Sequence, residues 1–169
     1  YYRQKSGPLQ TPSNFILLTI HRAENTDNPV RLKNIVDAVN SLSEKRFVFP
    51  VHPRTKKILA EYGLHFGSHV TLIEPVGYLE MLKYEEACTA ALTDSGGVQK
   101  EAFFFQKPCI TMRDTTEWVE LVTSGWNTLT GADTKRIVSS IRNIRTPKDY
   151  PQLYGDGHTA EKIIEVLQE

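Results

Sequence analysis

Cysteine is scarce. Only Cys88 and Cys109 occur in 169 residues, and neither has a Cys or His partner at metal-ligand spacing, so no metal site is signalled and two buried, reduced thiols are expected. Charge of one sign is not in excess either. Lys plus Arg and Asp plus Glu number 20 each, so no overall basic field exists to hold nucleic acid or an anionic membrane, and an anion must be bound by a local device. Long apolar runs are also missing: 15–20 is among the longest, far below the roughly 20 residues of a membrane span, and the N-terminus shows no charged-then-apolar export signal. A soluble, cytoplasmic protein is the expectation. No Gly-x-Gly-x-x-Gly follows a strand, and no Gly-x-x-x-x-Gly-Lys-Ser/Thr occurs, so neither a nicotinamide dinucleotide nor a Walker-type nucleotide site is indicated. Gly-x-Ser-x-Gly, the nucleophile elbow of hydrolases, is absent too.

What is present suits one compact α/β domain. Short runs rich in β-branched and aromatic residues, at 15–20, 47–51, 70–73, 90–93, 109–112 and 127–129, predict about six strands. Between the first two, Leu32, Ile35, Val36, Val39 and Leu42 form a helical stripe. Further helices are expected at 55–62, 78–86, 97–105, 117–123, 134–143 and 159–167. Nearly continuous apolar strands, each followed by a helix, imply a Rossmann-like parallel sheet flanked by helices on both faces. Residues 1–14, polar and holding Gly7, Pro8 and Pro12, read as a linker, which leaves 15–169 as the domain. Residues 147–157 read as a loop before a last helix that docks elsewhere.

Ligands of open parallel sheets sit beyond the carboxyl ends of the strands, and there the polar residues collect. Ser95-Gly96-Gly97 joins a strand to a helix, where bare backbone N–H groups meet an anion at the helix's positive end. One turn on, the Glu101 carboxylate is placed to accept from a vicinal ribose diol, so the pair points to a nucleotide. Equally, Ser-Gly-Gly is a turn that caps a helix, with Glu101 complementing its dipole. His21, followed by Arg22 and Glu24, reads as a general acid or base, or as a donor to a departing phosphate. His52, held out of helical geometry by Pro53, is as well explained by a loop-fixing hydrogen bond. Arg113 suits either a diphosphate or a surface pair with Asp114, while Asp114 and Thr115 read as the N-cap of a helix around Glu117. Phe103-Phe104-Phe105 is helix packing, and His65, His69 and His158 carry no functional assignment.

In order and at suitable spacing, His21-Arg22-x-Glu24-Asn25, His52-Pro53, Asp94-Ser95-Gly96-Gly97-x-Gln99-x-Glu101-Ala102 and Arg113-Asp114-Thr115-Thr116-Glu117 resemble the C-terminal domain of non-hydrolysing UDP-N-acetylglucosamine 2-epimerases. The resemblance runs from about residue 15 to the end. It implies one half of a two-domain GT-B fold, a partner N-terminal domain outside this chain, a homodimeric whole enzyme and no cofactor. The implied reaction eliminates UDP from UDP-GlcNAc to give 2-acetamidoglucal and adds it back with the C2 proton on the opposite face. Ser95, Gly96, Gly97 and Arg113 would then hold the diphosphate and Glu101 the ribose, while the uracil would lie on the 74–78 loop with Val76 and Tyr78. His21 matches the catalytic-site histidine, whereas Arg22, Glu24, His52 and Thr116 match accessory or sugar-side positions. Ala23 stands where the commoner pattern has a second arginine, and Glu117-Trp118-Val119-Glu120 replaces Glu-Arg-Pro-Glu. The Trp118-Val119-Glu120 version, with Gly97-Val98-Gln99-Lys100-Glu101 and Gly125-Trp126-Asn127, also resembles relatives acting on UDP-2,3-diacetamido-glucuronate. The alternatives from other classes are a donor-binding domain of a GT-B glycosyltransferase and a non-catalytic nucleotide-sugar sensor.

Overall fold

The computed structural model describes residues 12–155 and 157–168; most of the expected linker, 1–11, lies outside them. Six parallel strands form one sheet: β1 Phe15–Thr19, β2 Arg46–Pro50, β3 Val70–Ile73, β4 Ala90–Thr93, β5 Cys109–Thr111 and β6 Asn127–Leu129, in the order β3-β2-β1-β4-β5-β6. All five residues of β1 are buried, as a central strand with both faces covered requires. Its side chains alternate in destination. Ile16 and Leu18 join the main core with Leu32, Ile35, Val36 and Val39 of helix α2, Pro29–Asn40, whereas Phe15 and Leu17 pack on the other face with Val48, Tyr84 and Cys88. Burial pushes both thiols, Cys88 and Cys109, up to about 12, so they stay protonated and inert.

Local chemistry starts the helices. Asn28 caps α2 by accepting from the N–H groups of Val30 and Arg31, with Pro29 at the first position. His52 caps α3, Pro53–Glu61, and Ser95 caps α5, Gly96–Phe104. Helix α4, Tyr78–Ala87, lies between β3 and β4, and α7, Thr134–Arg142, is capped by Asp133 and packs beside α2. One helix was not foreseen: α1, Ala23–Thr26, whose four residues are too short to show a stripe.

Another starts late. Helix α6 runs Val119–Thr123, with Trp118 rather than Asp114 or Thr115 at its N-cap position. Asp114 turns away to Arg31, 2.9 Å distant, and lies against Gly131. A Cβ there would stand 2.5 Å from Asp114 Oδ1, and φ is +60°, so Gly131 answers both to sterics and to a left-handed backbone. Residues 146–154 form a strap over α5. Trp126 Nε1 donates to the Asp149 carbonyl at 2.9 Å, and Tyr150 stacks on Phe103 with centroids 4.7 Å apart. Helix α8, Thr159–Gln168, buries none of its residues against the rest.

Candidate functional site

The chain runs outward from β1 to β3 and then returns to add β4 on the other side of β1. Loops after β1 and β4 therefore diverge and open a crevice, the place where doubly wound sheets take ligands. Asp94 closes the base of that crevice. It is fully buried and accepts from the backbone N–H of His21 at 3.1 and 3.2 Å, from that of Arg22 at 3.1 Å and from Asn25 Nδ2 at 3.1 Å. His21 Nδ1 stands 3.3 Å from the same carboxylate. That contact orients the ring and leaves Nε2 as the nitrogen with freedom to meet a ligand. Asn25 also donates to the Met112 carbonyl at 3.0 Å and accepts from Arg31 Nε at 3.0 Å, so α1 ties the ends of β1, β4 and β5 together.

Above Asp94, the Ser95 N–H donates to Thr93 Oγ1 at 2.9 Å, and Ser95 Oγ accepts from the Val98 N–H at 3.4 Å. The hydroxyl proton remains available to an incoming acceptor. Gly96 and Gly97 form the first turn of α5, whose N–H groups have no intrahelical carbonyl to meet. A Cβ on Gly97 would meet nothing closer than Glu101 Oε2 at 3.7 Å and Ser95 Oγ at 3.8 Å; one on Gly96 would come no closer than 3.5 Å to Arg22 Nη2. These are ordinary contacts, and neither backbone is left-handed. The protein's own packing therefore does not require glycine at either position, although each costs about 1 kcal/mol of helix propensity relative to Ala.

A cleft of ≈ 270 Å³ opens beside this turn, lined by Ile20, His21, His52, Val76, Ser95 and Val98 among others. A roomier cleft of ≈ 540 Å³, near Asn14, Arg46 and Thr89, lies at the opposite, amino ends of the strands, where none of the described helices begins. Four of the anticipated residues thus share the smaller cleft: His21, His52, Val76 and Ser95. Tyr78 does not line it; as the first residue of α4 it is exposed.

The pair anticipated between Arg113 and Asp114 does not form. The Arg113 guanidinium makes a bidentate pair with Glu117 instead, at 2.7 and 3.0 Å. Hydrogen bonding to Arg113 holds the Glu117 carboxyl down to about 2. Arg22 Nη2 lies 3.9 Å from Glu117 as well, so two guanidinium groups share one carboxylate beside Gly96. Thr116 works inside the chain: its hydroxyl donates to Gln99 Oε1 at 2.6 Å, while Gln99 Nε2 donates to the Ser95 carbonyl at 3.0 Å. Glu24 pairs with Arg31 at 3.0 Å. His52 Nδ1 accepts from the Arg54 N–H at 3.2 Å, the loop-fixing bond anticipated as one of its two roles. Among the described residues no group of three or more His, Cys, Asp or Glu is placed to hold a metal ion. No described helix is long and apolar enough to cross a membrane.

A family profile described as UDP-N-acetylglucosamine 2-epimerase matches residues 2–168. The chain belongs to that family. A UDP-2,3-diacetamido-2,3-dideoxy-D-glucuronate 2-epimerase of Pseudomonas aeruginosa is 52% identical over 163 residues, covering 94% of this chain and 46% of the relative. The UDP-N-acetylglucosamine 2-epimerase of Methanocaldococcus jannaschii is 42% identical over 162 residues, covering 91% and 44%. A crystal structure of the M. jannaschii epimerase in complex with UDP-GlcNAc and UDP superposes with a TM-score of 0.82 at 40% identity, over 92% of this chain and 45% of the other. The chain therefore spans about half the length of the epimerases it matches. The glycosyltransferase VinC, 16% identical with a TM-score of 0.66, shares the fold alone. The six-stranded Rossmann-like sheet of this chain matches the fold of the M. jannaschii epimerase, with a TM-score of 0.84 to another of its structures.

Proposed function

We propose that this chain is the UDP-gripping half of a nucleotide-sugar 2-epimerase, and that it binds UDP without turning over a sugar. The observation that carries the reading is the open turn at Gly96 and Gly97, glycine at two helical positions where the chain itself has room for a side chain. Backbone N–H groups there, with the Ser95 hydroxyl, suit the diphosphate. Glu101, at the same edge, suits the ribose hydroxyls, and the apolar wall around Val76 suits the uracil. Arg113 and Arg22 would share charge between Glu117 and the diphosphate, which makes UDP a better leaving group. His21, oriented by Asp94, would serve the C1–O bond as it breaks. In the whole enzyme, loss of the C2 proton and of UDP gives the 2-acetamidoglucal; a proton then returns to the opposite face of C2 as UDP adds back to C1. A second domain supplies the remaining catalytic groups, and the whole enzyme is a cytoplasmic homodimer.

The test separates a ligand site from a helix cap. Gly97→Ala should raise stability by about 0.5–1 kcal/mol, because helical glycine is entropically costly, while weakening UDP binding at least about tenfold in a calorimetric titration. A gain in stability with unchanged affinity would mean that the turn is only a cap. Two sugars compete for the substrate role. UDP-GlcNAc is named for most relatives, but the 52% identity to the diacetamido-glucuronate epimerase favours the acidic sugar for this chain. Product analysis of a protein carrying both domains, offered each UDP-sugar without an acceptor, decides between them and against a glycosyltransferase or a sensor.

A further inference from the structure

Two adjacent glycines leave the first turn of α5 without side chains to confine it, and glycine loses more conformational freedom on ordering than any other residue. The turn is held from behind. The Val98 N–H is taken by Ser95 Oγ, so the donors left for a ligand are those of Gly96 and Gly97. Each shares a rigid peptide plane with the preceding carbonyl, which points the opposite way. Side chains hold both carbonyls. The Ser95 carbonyl accepts from Gln99 Nε2 at 3.0 Å, and the Gly96 carbonyl accepts from Trp118 Nε1 at 2.8 Å. In the helical pattern the Gly96 carbonyl is already the acceptor for the Lys100 N–H, so the indole bond is a second one, beyond what satisfying that oxygen requires. The indole is itself fixed. The Trp118 backbone N–H donates to Thr116 Oγ1 at 3.2 Å, Lys100 Nζ lies 4.6 Å from the ring centroid, and the Tyr154 ring meets it edge-on at 6.0 Å.

We propose that Trp118 is a positioning residue for the diphosphate: its indole N–H, bonded to the Gly96 carbonyl, locks the Gly96–Gly97 peptide so that the Gly97 N–H is held ready for the ligand. The proposal rests on the reading that this turn takes the diphosphate. Two effects add. The bond removes the peptide's freedom before a ligand arrives, and it draws electron density toward the carbonyl, which makes the N–H on the other side of the same plane a stronger donor. No ligand needs to touch the indole.

The experiment titrates the chain with UDP and with uridine, which has the same base and ribose but no phosphate, and follows the ratio of the two affinities. The parent should prefer UDP by at least about tenfold, as expected for hydrogen bonds to a charged group. Trp118→Phe keeps an aromatic ring beside Lys100 and Tyr154 and removes the donor. It should cut the preference by about fivefold, the worth of one ordinary hydrogen bond, and leave uridine affinity unchanged. A full preference in Trp118→Phe, or an equal loss for both ligands in a folded protein, overturns the proposal. A parent without preference overturns it too, but through the diphosphate reading and not through Trp118. Should Trp118→Phe fail to fold, NMR of the parent decides. On saturation with UDP the Trp118 indole N–H resonance should move downfield, because an anion on the Gly97 N–H makes the Gly96 carbonyl a stronger acceptor. Uridine should leave that resonance in place, and the Trp126 indole, bonded to the Asp149 carbonyl, should respond to neither ligand. A Trp118 resonance unmoved by UDP sinks the idea.

Discussion

Asp94 satisfies two backbone N–H groups and one amide from a loop 69–73 residues away in sequence, with no exposure of its own. Removing the carboxylate strands those donors at the base of the crevice. Asp94→Ala should therefore cost about 2–4 kcal/mol in urea denaturation and loosen His21, seen as lost protection of the His21 and Arg22 amides in hydrogen exchange. Glu85, fully buried on α4, makes the opposite kind of statement. Burial lifts its folded-state pKa above its unfolded value, so between the two the native state binds more protons, and stability falls as pH rises through that window. The slope approaches about 1.4 kcal/mol per pH unit for one proton, and Glu85→Gln should remove it from a plot of unfolding free energy against pH. Neither residue announces itself in the sequence. Asp94 sits in a motif whose serine and glycines carry the recognisable chemistry, and Glu85 looks like one charge among several on an ordinary helix. Burial of a carboxylate is decided by the neighbouring elements, which periodicity cannot supply. The surface partner of Arg113 was expected to be Asp114, whereas it is Glu117, four residues on and before α6 begins.

At the scale of elements, those with a strong local signal were legible. All six strands fall where the apolar runs place them, and the caps at Asn28, His52, Ser95 and Asp133 explain where four helices begin. Helix α1 and the starting residue of α6 were not. Helix α1 exists because Asp94 gathers the backbone around it, and α6 begins at Val119 because Asp114 is occupied by Arg31. Helix α8 provides a check on what the domain needs. It buries nothing, and Ile163, Ile164, Val166 and Leu167 are each more than half exposed. Deleting 159–168 should leave Tm within about 2 °C of the parent by calorimetry, as for surface changes generally. A larger drop would mean that the helix stabilises the domain in solution.

Across the whole molecule, the parallel order with its turn-back between β1 and β4 assembles the crevice from loops far apart in the chain. That placement was anticipated from strand-and-helix alternation alone, since the carboxyl rim is where such sheets hold ligands. The strap was legible only as an aromatic loop. It is latched onto the domain by Phe103, which contacts Trp126, Tyr150 and Tyr154. Phe103→Ala should cost about 3–5 kcal/mol and expose 146–154 to proteolysis, measured by limited digestion of the folded chain.

The chain has two tryptophans, and their placement equips it with its own optical readout. Trp118 Nε1 donates to the Gly96 carbonyl at 2.8 Å, with Lys100 Nζ 4.6 Å from the ring centroid. Its emission is therefore sensitive to any anion that draws on the Gly96 turn or repolarises Lys100. Trp126, 2% exposed and bonded to the strap, is shielded from that event and reports on the far side of α5. A Trp126→Phe variant would leave Trp118 alone to report on the Gly96 turn, and a Trp118→Phe variant would leave Trp126 to report on the strap, so the two sites can be followed separately without a label.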